Sequence, residues 1–150
     1  MLLVCSAGGH LLQLWLLAGA WAGMSHAWVT LDQEDARTLL ADETVYYAYG
    51  PTTRSVTNLL KNLRLACSVG WRLRPKVVVT TGAAVAVPFA WVCRLLGAKV
   101  VYIESLTRIT APSLSCRMIK PVANRLYVQW PELSASVPGS LYVGNVSGRR

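Results

Sequence analysis

Residues 2–10 read LLVCSAGGH, and an apolar run from Leu11 to Trp21 follows them. The opening letters have the composition of a short buried strand, the two glycines permit a tight turn, and the apolar run predicts a helix. The first N–H groups of a helix have no partner inside it, so this turn is a candidate anion site. Its candidate binding residues are Ser6, Gly8 and Gly9. The turn alone leaves open whether its ligand is a nucleotide, a lipid phosphate or nothing.

The length and cysteine content of the chain suit one domain over residues 1–150 that folds without a metal or a disulfide framework. The four cysteines are far apart and show no C-x-x-C spacing, so we expect no metal site and reduced cysteines in a cytoplasmic protein. A signal peptide is not expected, because no positive charge precedes the first apolar run. A spanning helix is not expected either, because residues 6–10 interrupt that run.

The net charge is +8, and the charges are unevenly distributed along the sequence. Five of the seven acidic residues lie between Asp32 and Glu43, whereas all the basic residues except Arg37 spread from Arg54 onward. A basic surface attracts either nucleic acid or the anionic cytoplasmic leaflet of a membrane. The charge alone does not choose between these two partners.

Strands and helices are predicted to alternate along the chain. The predicted strands are Leu2–Cys5, Ala27–Leu31, Thr44–Ala48, Lys76–Thr80, Lys99–Ile103, Arg125–Val128 and Leu141–Val143. The predicted helices are Leu11–Trp21, Glu34–Leu40, Ser55–Trp71, a segment with Pro88 near its first turn that ends at Gly97, and Ser113–Lys120. This alternation predicts an α/β fold, a Rossmann-like parallel sheet with helices on both faces. Ligands of such folds bind at the carboxyl ends of the strands.

The helix predicted from Ser55 is amphipathic and basic. Apolar residues recur at helical spacing in it, namely Val56, Leu59, Leu60, Leu63, Cys67 and Trp71. Lys61, Arg64 and Arg72 are interleaved on other faces. We expect residues 55–76 to help the protein lie on an anionic membrane surface, where each Lys or Arg contributes ~1 kcal/mol. The alternative is a helix that packs on the core and keeps its basic face in solvent.

A dinucleotide site is one hypothesis for the opening turn. Asp32 ends the second predicted strand, where a ribose-binding acid lies in such sites. The glycine fingerprint is incomplete, however, because Gly8 and Gly9 are adjacent and no third glycine follows at the required spacing. NAD binding is therefore the weaker hypothesis, and we expect Asp32 to be a helix N-cap instead.

His10 lies at the predicted helix N-terminus, where the positive end of the helix dipole disfavours a charged imidazole. A neutral ring is able to accept a proton, so His10 is a candidate general base. The alternative is a solvent-facing histidine in a flexible turn. The neighbouring glycines favour the functional hypothesis.

Glu104 directly follows a predicted buried strand and is the only acidic residue between Glu43 and Glu132. With Ser105 and Arg108 close behind, it is able to hydrogen-bond a sugar hydroxyl while Arg108 meets a phosphate. The alternative is a salt bridge between Glu104 and Arg108 that shapes the loop. We favour the functional hypothesis.

Two further strand ends carry polar residues. Thr81 and Gly82 follow the fourth predicted strand. Gln129, Trp130 and Glu132 follow the sixth, where the tryptophan offers an aromatic platform and the glutamate a carboxylate. For Trp130, a tryptophan that belongs to the core is the default expectation.

Several stretches together carry a resemblance to a known family. They are residues 6–11, 81–83, 87–88, 102–105 with Arg108, 113–114, Pro121, 128–132 and 142–144. The chain resembles the oligosaccharide biosynthesis proteins that form the membrane-associated half of split UDP-sugar glycosyltransferases. A eukaryotic member anchors the enzyme that adds the second GlcNAc to the dolichol-linked chain, and bacterial PssD-type members serve exopolysaccharide or capsule synthesis. The chain departs from the family pattern at Ala84, Cys116, Lys120 and Asn124.

The resemblance implies the N-terminal, acceptor-binding half of a GT-B glycosyltransferase, similar to the murein lipid-linked transferase. It implies no cofactor bound by this chain alone, because a catalytic partner subunit that resembles the C-terminal half binds the UDP-sugar. The other implied partners are a lipid-diphosphate-linked sugar acceptor and an anionic membrane, with the protein peripheral on the cytoplasmic face. Nucleic acid is not an implied partner.

The resemblance also assigns roles to the candidate residues. The implied catalytic residues are His10 and Glu104. The implied acceptor or phosphate ligands are Ser6, Gly8, Gly9, Thr81, Gly82, Ser105 and Arg108. The implied membrane-surface residues are Lys61, Arg64 and Arg72, and those at the site rim or partner surface are Gln129, Trp130 and Glu132.

Two other function classes remain as alternatives. A stand-alone NAD(P)- or nucleotide-dependent Rossmann enzyme would bind its nucleotide without a partner. A basic nucleic-acid-binding module is suggested by charge alone, and the chain shows no recognisable nucleic-acid motif.

Overall fold

A computed structural model describes residues 1–52 and 55–148 of the chain. Within these residues, seven parallel strands form one sheet in the order β3-β2-β1-β4-β5-β6-β7. The strands are β1 (Leu2–Val4), β2 (Ala27–Leu31), β3 (Val45–Ala48), β4 (Val77–Thr80), β5 (Lys99–Ile103), β6 (Arg125–Val128) and β7 (Leu141–Tyr142). The predicted Rossmann-like parallel sheet is confirmed.

Helices lie on both faces of this sheet. They are α1 (Gly9–Trp15), α2 (Glu34–Leu39), α3 (Val56–Leu73), α4 (Ala86–Leu95), α5 (Leu114–Ile119) and α6 (Pro131–Ser136). Side chains alternate between the faces, so Leu2 and Val4 join the core under α3 to α6, whereas Leu3 joins the core under α1 and α2. The strands are nearly continuous apolar runs because side chains on both of their faces belong to these two cores.

The first helix is shorter than the predicted Leu11–Trp21, because α1 ends at Trp15. A 3-10 turn at Ala18–Ala20 follows, and Trp21 then returns to the sheet, where its ring packs against that of Trp28 at a centroid distance of 6.3 Å. Gly19 would cost about 1 kcal/mol relative to alanine in a helix interior. Burying Trp21 against the sheet is therefore favoured over extending the helix.

The segment around Pro88 agrees with the prediction. Pro88 is the third residue of α4, where its missing N–H costs nothing, and Gly97 has a φ of +94° just after the helix ends. Helix α6 was not predicted, although Trp130-Pro131 places a proline at the first helical position, which is a helix-start signal.

Helix α3 packs on the sheet through a different face from its apolar stripe. The packed residues are Asn62, Ala66, Val69 and Gly70. A Cβ atom at Gly70 would lie 3.1 Å from Leu96 Cδ1, so this small residue permits the close approach of α4. The bulkier apolar stripe faces outward, with Val56 72% and Trp71 64% exposed. The alternative agrees with the structure in that α3 packs on the core and keeps its basic residues in solvent, but the packing face consists of small residues and not of the apolar stripe.

The strand order reverses between β1 and β4, which are neighbours in the sheet although β2 and β3 separate them in sequence. The loops that leave these two strands diverge to opposite faces and leave a crevice between them, which is where ligands bind in open α/β sheets. The glycine turn after β1 and the Thr81-Gly82-Ala83 turn after β4 meet at this crevice.

Candidate functional site

Two reciprocal hydrogen bonds connect the turns after β1 and β4 at the crevice. The Nδ1 atom of His10 lies 2.8 Å from the carbonyl oxygen of Thr81. The hydroxyl of Thr81 donates in turn to the carbonyl oxygen of His10, also at 2.8 Å. These bonds join residues 71 positions apart and fix the orientation of the imidazole ring.

The same contact determines the tautomer of a neutral His10. A carbonyl oxygen only accepts hydrogen bonds, so Nδ1 must carry the proton that it donates. The Nε2 atom then has a lone pair and no proton. His10 is half-buried and lines an open groove, so Nε2 is available to accept a proton from a ligand.

The groove beside His10, called here the polar groove, has a volume of about 610 Å³. Its lining comes from the turns after β1 and β4, the loop after β5 and the start of α5. The lining residues are His10, Thr52, Ala83, Ala84, Val87, Ser105, Thr107, Arg108, Ser113, Leu114, Ser115 and Met118. Of the predicted site residues, the structure therefore brings together His10, Ser105 and Arg108.

Arg108 is the positive charge of the polar groove. Its side chain is exposed, and within residues 1–52 and 55–148 its guanidinium makes no hydrogen bond or salt bridge. Ser105 and Thr107 stand beside it, and their hydroxyl oxygens are 2.9 Å apart. A guanidinium next to two hydroxyls is suited to an anionic oxygen of a ligand, such as a phosphate.

Glu104 does not reach the polar groove. Its side chain is fully buried, and its carboxylate accepts hydrogen bonds from the N–H groups of Ser105 and Ser113 at 2.8 and 2.9 Å. The hydroxyls of Ser113 and Tyr102 donate to it at 3.0 and 3.2 Å. The proposed salt bridge with Arg108 is not formed. Glu104 instead holds both ends of the loop between β5 and α5, and this loop carries Ser105 and Arg108.

The buried carboxylate also affects its neighbours. Burial raises the pKa of the Tyr102 hydroxyl, and the charge of Glu104 raises it further. Burial and Glu104 likewise raise the pKa of the Cys116 thiol to about 12. Both groups remain neutral near pH 7, so Tyr102 acts as a hydrogen-bond donor.

One N–H of the glycine turn after β1 already has a partner within the protein. Gly8 has a φ of +73°, which favours glycine, and its N–H donates to Asp35 Oδ2 at 2.6 Å. A carboxylate from α2 thus occupies one of the N–H groups of the predicted anion site. Gly9 is exposed, and the Ser6 hydroxyl makes a long contact of 3.4 Å with the Ala7 carbonyl. The clear role of this turn is to present His10.

Gly82 is required for packing. Its φ is +96°, and a Cβ atom there would lie 2.6 Å from the hydroxyl oxygen of Tyr102. Its N–H donates to the Thr80 hydroxyl at 2.9 Å, so it is not free to bind a phosphate. Thr81 is fully buried, and its two hydrogen bonds with His10 fix the orientation of the imidazole ring.

Asp32 is neither an N-cap nor free for a ribose. The residue that precedes α2 is Gln33, and its side chain makes no capping bond. Asp32 forms two hydrogen bonds with the Arg37 guanidinium, at 2.6 and 2.8 Å, and this contact lowers the pKa of the carboxyl. The N-cap prediction is therefore wrong, and the dinucleotide hypothesis gains no support.

The predicted rim residues differ in position. Gln129 is buried rather than at a rim, and its amide donates to the Glu104 carbonyl at 3.1 Å and accepts from the Val146 N–H at 2.9 Å. Trp130 is half-buried and donates to the Leu106 carbonyl at 2.7 Å, which anchors the loop after β5. Glu132 is exposed in the first turn of α6.

Sequence reasoning missed Gln13. This buried residue of α1 donates to the Glu104 carbonyl at 2.9 Å and accepts from the Leu106 N–H at 3.1 Å. Its signal was a lone amide inside an apolar run, which must find buried partners. Gln13 and Gln129 together hold the start of the loop from both sides.

Two other surfaces adjoin the site. The exposed stripe of α3 lies next to Lys61 and Arg64, which are also exposed. The sheet face below β4, β5 and β6 is only partly covered, and an apolar cavity of about 520 Å³ opens there. Within residues 1–52 and 55–148, no helix is long and apolar enough to cross a membrane, and no cluster of side chains is placed to hold a metal ion.

The chain is similar to proteins of one family. The family model described as oligosaccharide biosynthesis protein Alg14 like matches residues 48–146. The UDP-N-acetylglucosamine transferase subunits ALG14 of Rattus norvegicus and Homo sapiens are each 25% identical to this chain over an alignment 177 residues long. Each alignment covers 97% of this chain and 82% of the relative. The subunit of the same name from Mus musculus is 33% identical over 81 residues, 50% of this chain and 37% of the relative.

Two solved structures share the fold. Acinetobacter baumannii MurG matches with a TM-score of 0.73 at 21% identity, over 99% of this chain and 46% of that protein. UDP-N-acetylglucosamine 2-epimerase from Rickettsia bellii matches with a TM-score of 0.74 at 10% identity, over 97% and 44%. The predicted GT-B-type, Rossmann-like fold is confirmed, and the chain spans less than half of each of these two proteins.

Proposed function

The chain belongs to the Alg14-like family of oligosaccharide biosynthesis proteins, and from this we propose that it is the acceptor-binding subunit of a two-component UDP-sugar glycosyltransferase. Relatives that align with nearly all of this chain are named as subunits of a UDP-N-acetylglucosamine transferase. The chain also corresponds to less than half of a two-part fold. A partner subunit then supplies the UDP-sugar site, and this chain binds no cofactor of its own.

The observation that carries the proposal is the orientation of His10 at the crevice. With Nδ1 donating to the Thr81 carbonyl, Nε2 is the ring nitrogen without a proton, and His10 lines a groove large enough for a sugar. In the proposed reaction the acceptor hydroxyl gives its proton to Nε2 as its oxygen bonds to the anomeric carbon of the donor sugar. The bond from that carbon to the UDP oxygen breaks, and UDP leaves on the partner's side.

The polar groove holds the rest of the acceptor head in this proposal. Arg108 meets the diphosphate, and the hydroxyls of Ser105 and Thr107 complete the anion contacts. Glu104 is a positioning residue, because it fixes both ends of the loop that carries these groups. Ser6, Gly8 and Gly9 shape the turn that presents His10.

Helix α3 is the proposed contact with the membrane. Its stripe is exposed, and Lys61, Arg64 and Arg72 are exposed on the same helix. Apolar side chains enter the lipid interface while cations attract anionic headgroups, which is the behaviour of an interfacial amphipathic helix. The protein then lies peripherally on the cytoplasmic face.

The partly covered sheet face is the proposed partner surface. Val77, Val101 and Ile103 line its cavity, and Val143 at its edge is 80% exposed. Exposed apolar surface of this kind marks protein interfaces. A partner subunit there would complete the covering of the sheet.

Reconstitution with the partner tests this function. The chain and the product of the neighbouring gene, or another subunit that resembles the C-terminal half of a GT-B enzyme, are purified separately and assayed for transfer from a UDP-sugar. We expect transfer to a lipid-linked acceptor only when both are present. Transfer by the partner alone at the full rate would refute the proposal.

A further inference from the structure

A second and narrower groove, called here the apolar groove, lies between α3, α4 and α5. It has a volume of about 290 Å³. Its walls are mainly aliphatic, with Val56 and Leu59 from α3, Val87 from α4 and Met118 from α5. Three polar residues also line it, namely Thr52, Ser55 and Asn62. The amide of Asn62 is engaged with the backbone of Tyr49 through both ends, and the Ser55 hydroxyl accepts from the Asn58 N–H. Two of the three polar residues are thus occupied within the protein.

The apolar groove is continuous with the polar groove. Thr52, Ala84, Val87 and Met118 line both of them. At its other end the apolar groove opens onto the exposed stripe of α3, because Val56 and Leu59 belong to that stripe. A single path thus runs from His10 and Arg108, over aliphatic side chains, to the surface proposed to meet the membrane.

Arg108 supplies a positive charge to this path, at the end that lies in the polar groove. In the described part of the chain no acidic side chain lines either groove. The path is complementary to a ligand with an anionic head and an apolar tail.

We propose that the apolar groove binds the first hydrocarbon segment of the lipid acceptor, next to its diphosphate. This inference rests on the proposed function, and it adds a lipid-recognising subsite to the acceptor site. With the diphosphate at Arg108, the segment passes over Val87 and Met118 and leaves between Val56 and Leu59. The enzyme then distinguishes a lipid-linked acceptor from a soluble sugar phosphate before any contact with a bilayer.

The test compares farnesyl diphosphate with inorganic diphosphate, titrated calorimetrically into the full chain without vesicles and below the micelle concentration of the lipid. Farnesyl diphosphate is expected to bind at least about tenfold more tightly, since burying apolar carbon is favourable. Leu59→Gln and Met118→Gln are expected to remove most of that difference. Leu60→Gln is the matched control, because Leu60 is a similarly exposed leucine of α3 that does not line the groove.

Two results would overturn the inference. One is equal affinity for the two probes, and the other is an equal effect of Leu59→Gln and Leu60→Gln, which would mean adsorption to the whole stripe. Arg108→Gln separates the two levels of the proposal. If inorganic diphosphate binds through Arg108 and the farnesyl group adds no affinity, the lipid subsite fails and the acceptor function stands. If neither probe binds, both fail.

Discussion

The tautomer of a neutral His10 is determined by its hydrogen bond with Thr81, a residue 71 positions away. The two glycines before His10 identified the turn from sequence, and the histidine at its end followed as a candidate base. The tautomer depends on a backbone carbonyl of another loop, and no local pattern encodes that contact. The sequence could therefore predict the residue but not which ring nitrogen lacks a proton in the neutral form.

Replacing His10 tests its role as the base. We expect His10→Gln to lower kcat of the reconstituted enzyme by about 10²- to 10⁴-fold, the usual contribution of a general base, with little change in acceptor KM. His26→Gln is the control, since this second histidine precedes β2 and lies at the amino ends of the strands, whereas His10 lies at their carboxyl ends. Steady-state kinetics is measured for both variants. An equal loss of activity in the two would contradict the assignment of His10 as the base.

Glu104 was noticed for a correct reason, its position after a buried strand, but its structural role differs from the expected one. Its carboxylate accepts two backbone N–H groups at the ends of one loop. We expect Glu104→Gln to lower the free energy of unfolding by about 1–3 kcal/mol, because an amide leaves a buried donor unsatisfied. Urea denaturation measures this loss, and the exposed Glu132→Gln should change stability by no more than about 0.5 kcal/mol.

Hydrogen exchange distinguishes positioning from a purely structural role. In Glu104→Gln the amides of Ser105 and Ser113 should exchange faster than in the parent chain, whereas amides of β1 should be unchanged. Uniformly faster exchange would instead indicate general destabilisation.

The buried thiols give a pH dependence of stability. Burial raises the pKa of Cys5 to about 12 and that of Cys93 to about 11, from an ordinary value of 9.0. Because the folded state holds these protons more tightly than the unfolded state, the stabilisation is complete below about pH 9 and is lost as the pH rises towards 11 to 12. Denaturation curves should show this alkaline loss.

Thiol labelling checks the same groups directly. Of the four cysteines, Cys67 is exposed and the other three are buried. We expect iodoacetamide to modify Cys67 alone between pH 7 and 9, and a Cys67→Ser variant to be unreactive until it unfolds. Rapid labelling of a second cysteine in the native state would contradict the burial.

At the scale of the elements, strands were easier to predict than helix faces. The run Val77-Val78-Val79-Thr80 is recognisable as a strand, because β-branched residues occupy all four positions. Helix α3 shows the limit: its period was correct, but small residues decided which side packs. Gly70 and Ala66 let α3 approach α4, and this choice leaves the larger apolar stripe exposed.

The exposed face of α3 should bind membranes. Reversing Lys61, Arg64 and Arg72 to glutamate should weaken binding to anionic vesicles by about 100-fold or more, at ~1 kcal/mol for each lost cation. The control reverses Arg37, Lys99 and Arg125, which changes the net charge equally at positions on other elements. Vesicle flotation that is unaffected by the α3 variant, or equally reduced by the control, would contradict the role of α3.

At the scale of the whole molecule, the chain matches less than half of each of the two solved structures that share its fold. The sheet is covered by α3 to α6 on one face, but the other face is open below β4, β5 and β6. Sequence patterns predicted the parallel sheet because alternation of strands and helices is a local property. They could not predict the open face, which depends on the short α1 and on the turn at Ala18–Ala20.

The open face should bind the partner subunit. We expect Val143→Asp to reduce co-purification of the partner and to raise the dissociation constant by about tenfold or more, because a charge would enter an apolar contact. Leu95→Asp is the matched control, since Leu95 is equally exposed on α4 at 81% and does not line this cavity. Equal retention of the partner by both variants would place the interface elsewhere.

The central claim is that this chain binds the lipid-linked acceptor and that its partner binds the UDP-sugar. Its most direct test is a pair of calorimetric titrations of the isolated full chain. One uses UDP-N-acetylglucosamine, and the other uses a short-chain prenyl-diphosphate-linked sugar. We expect the lipid-linked sugar to bind and to lose affinity in Arg108→Gln, while the nucleotide sugar gives no binding heat. Binding of the nucleotide sugar without the lipid-linked sugar would contradict the account and place the donor site on this chain.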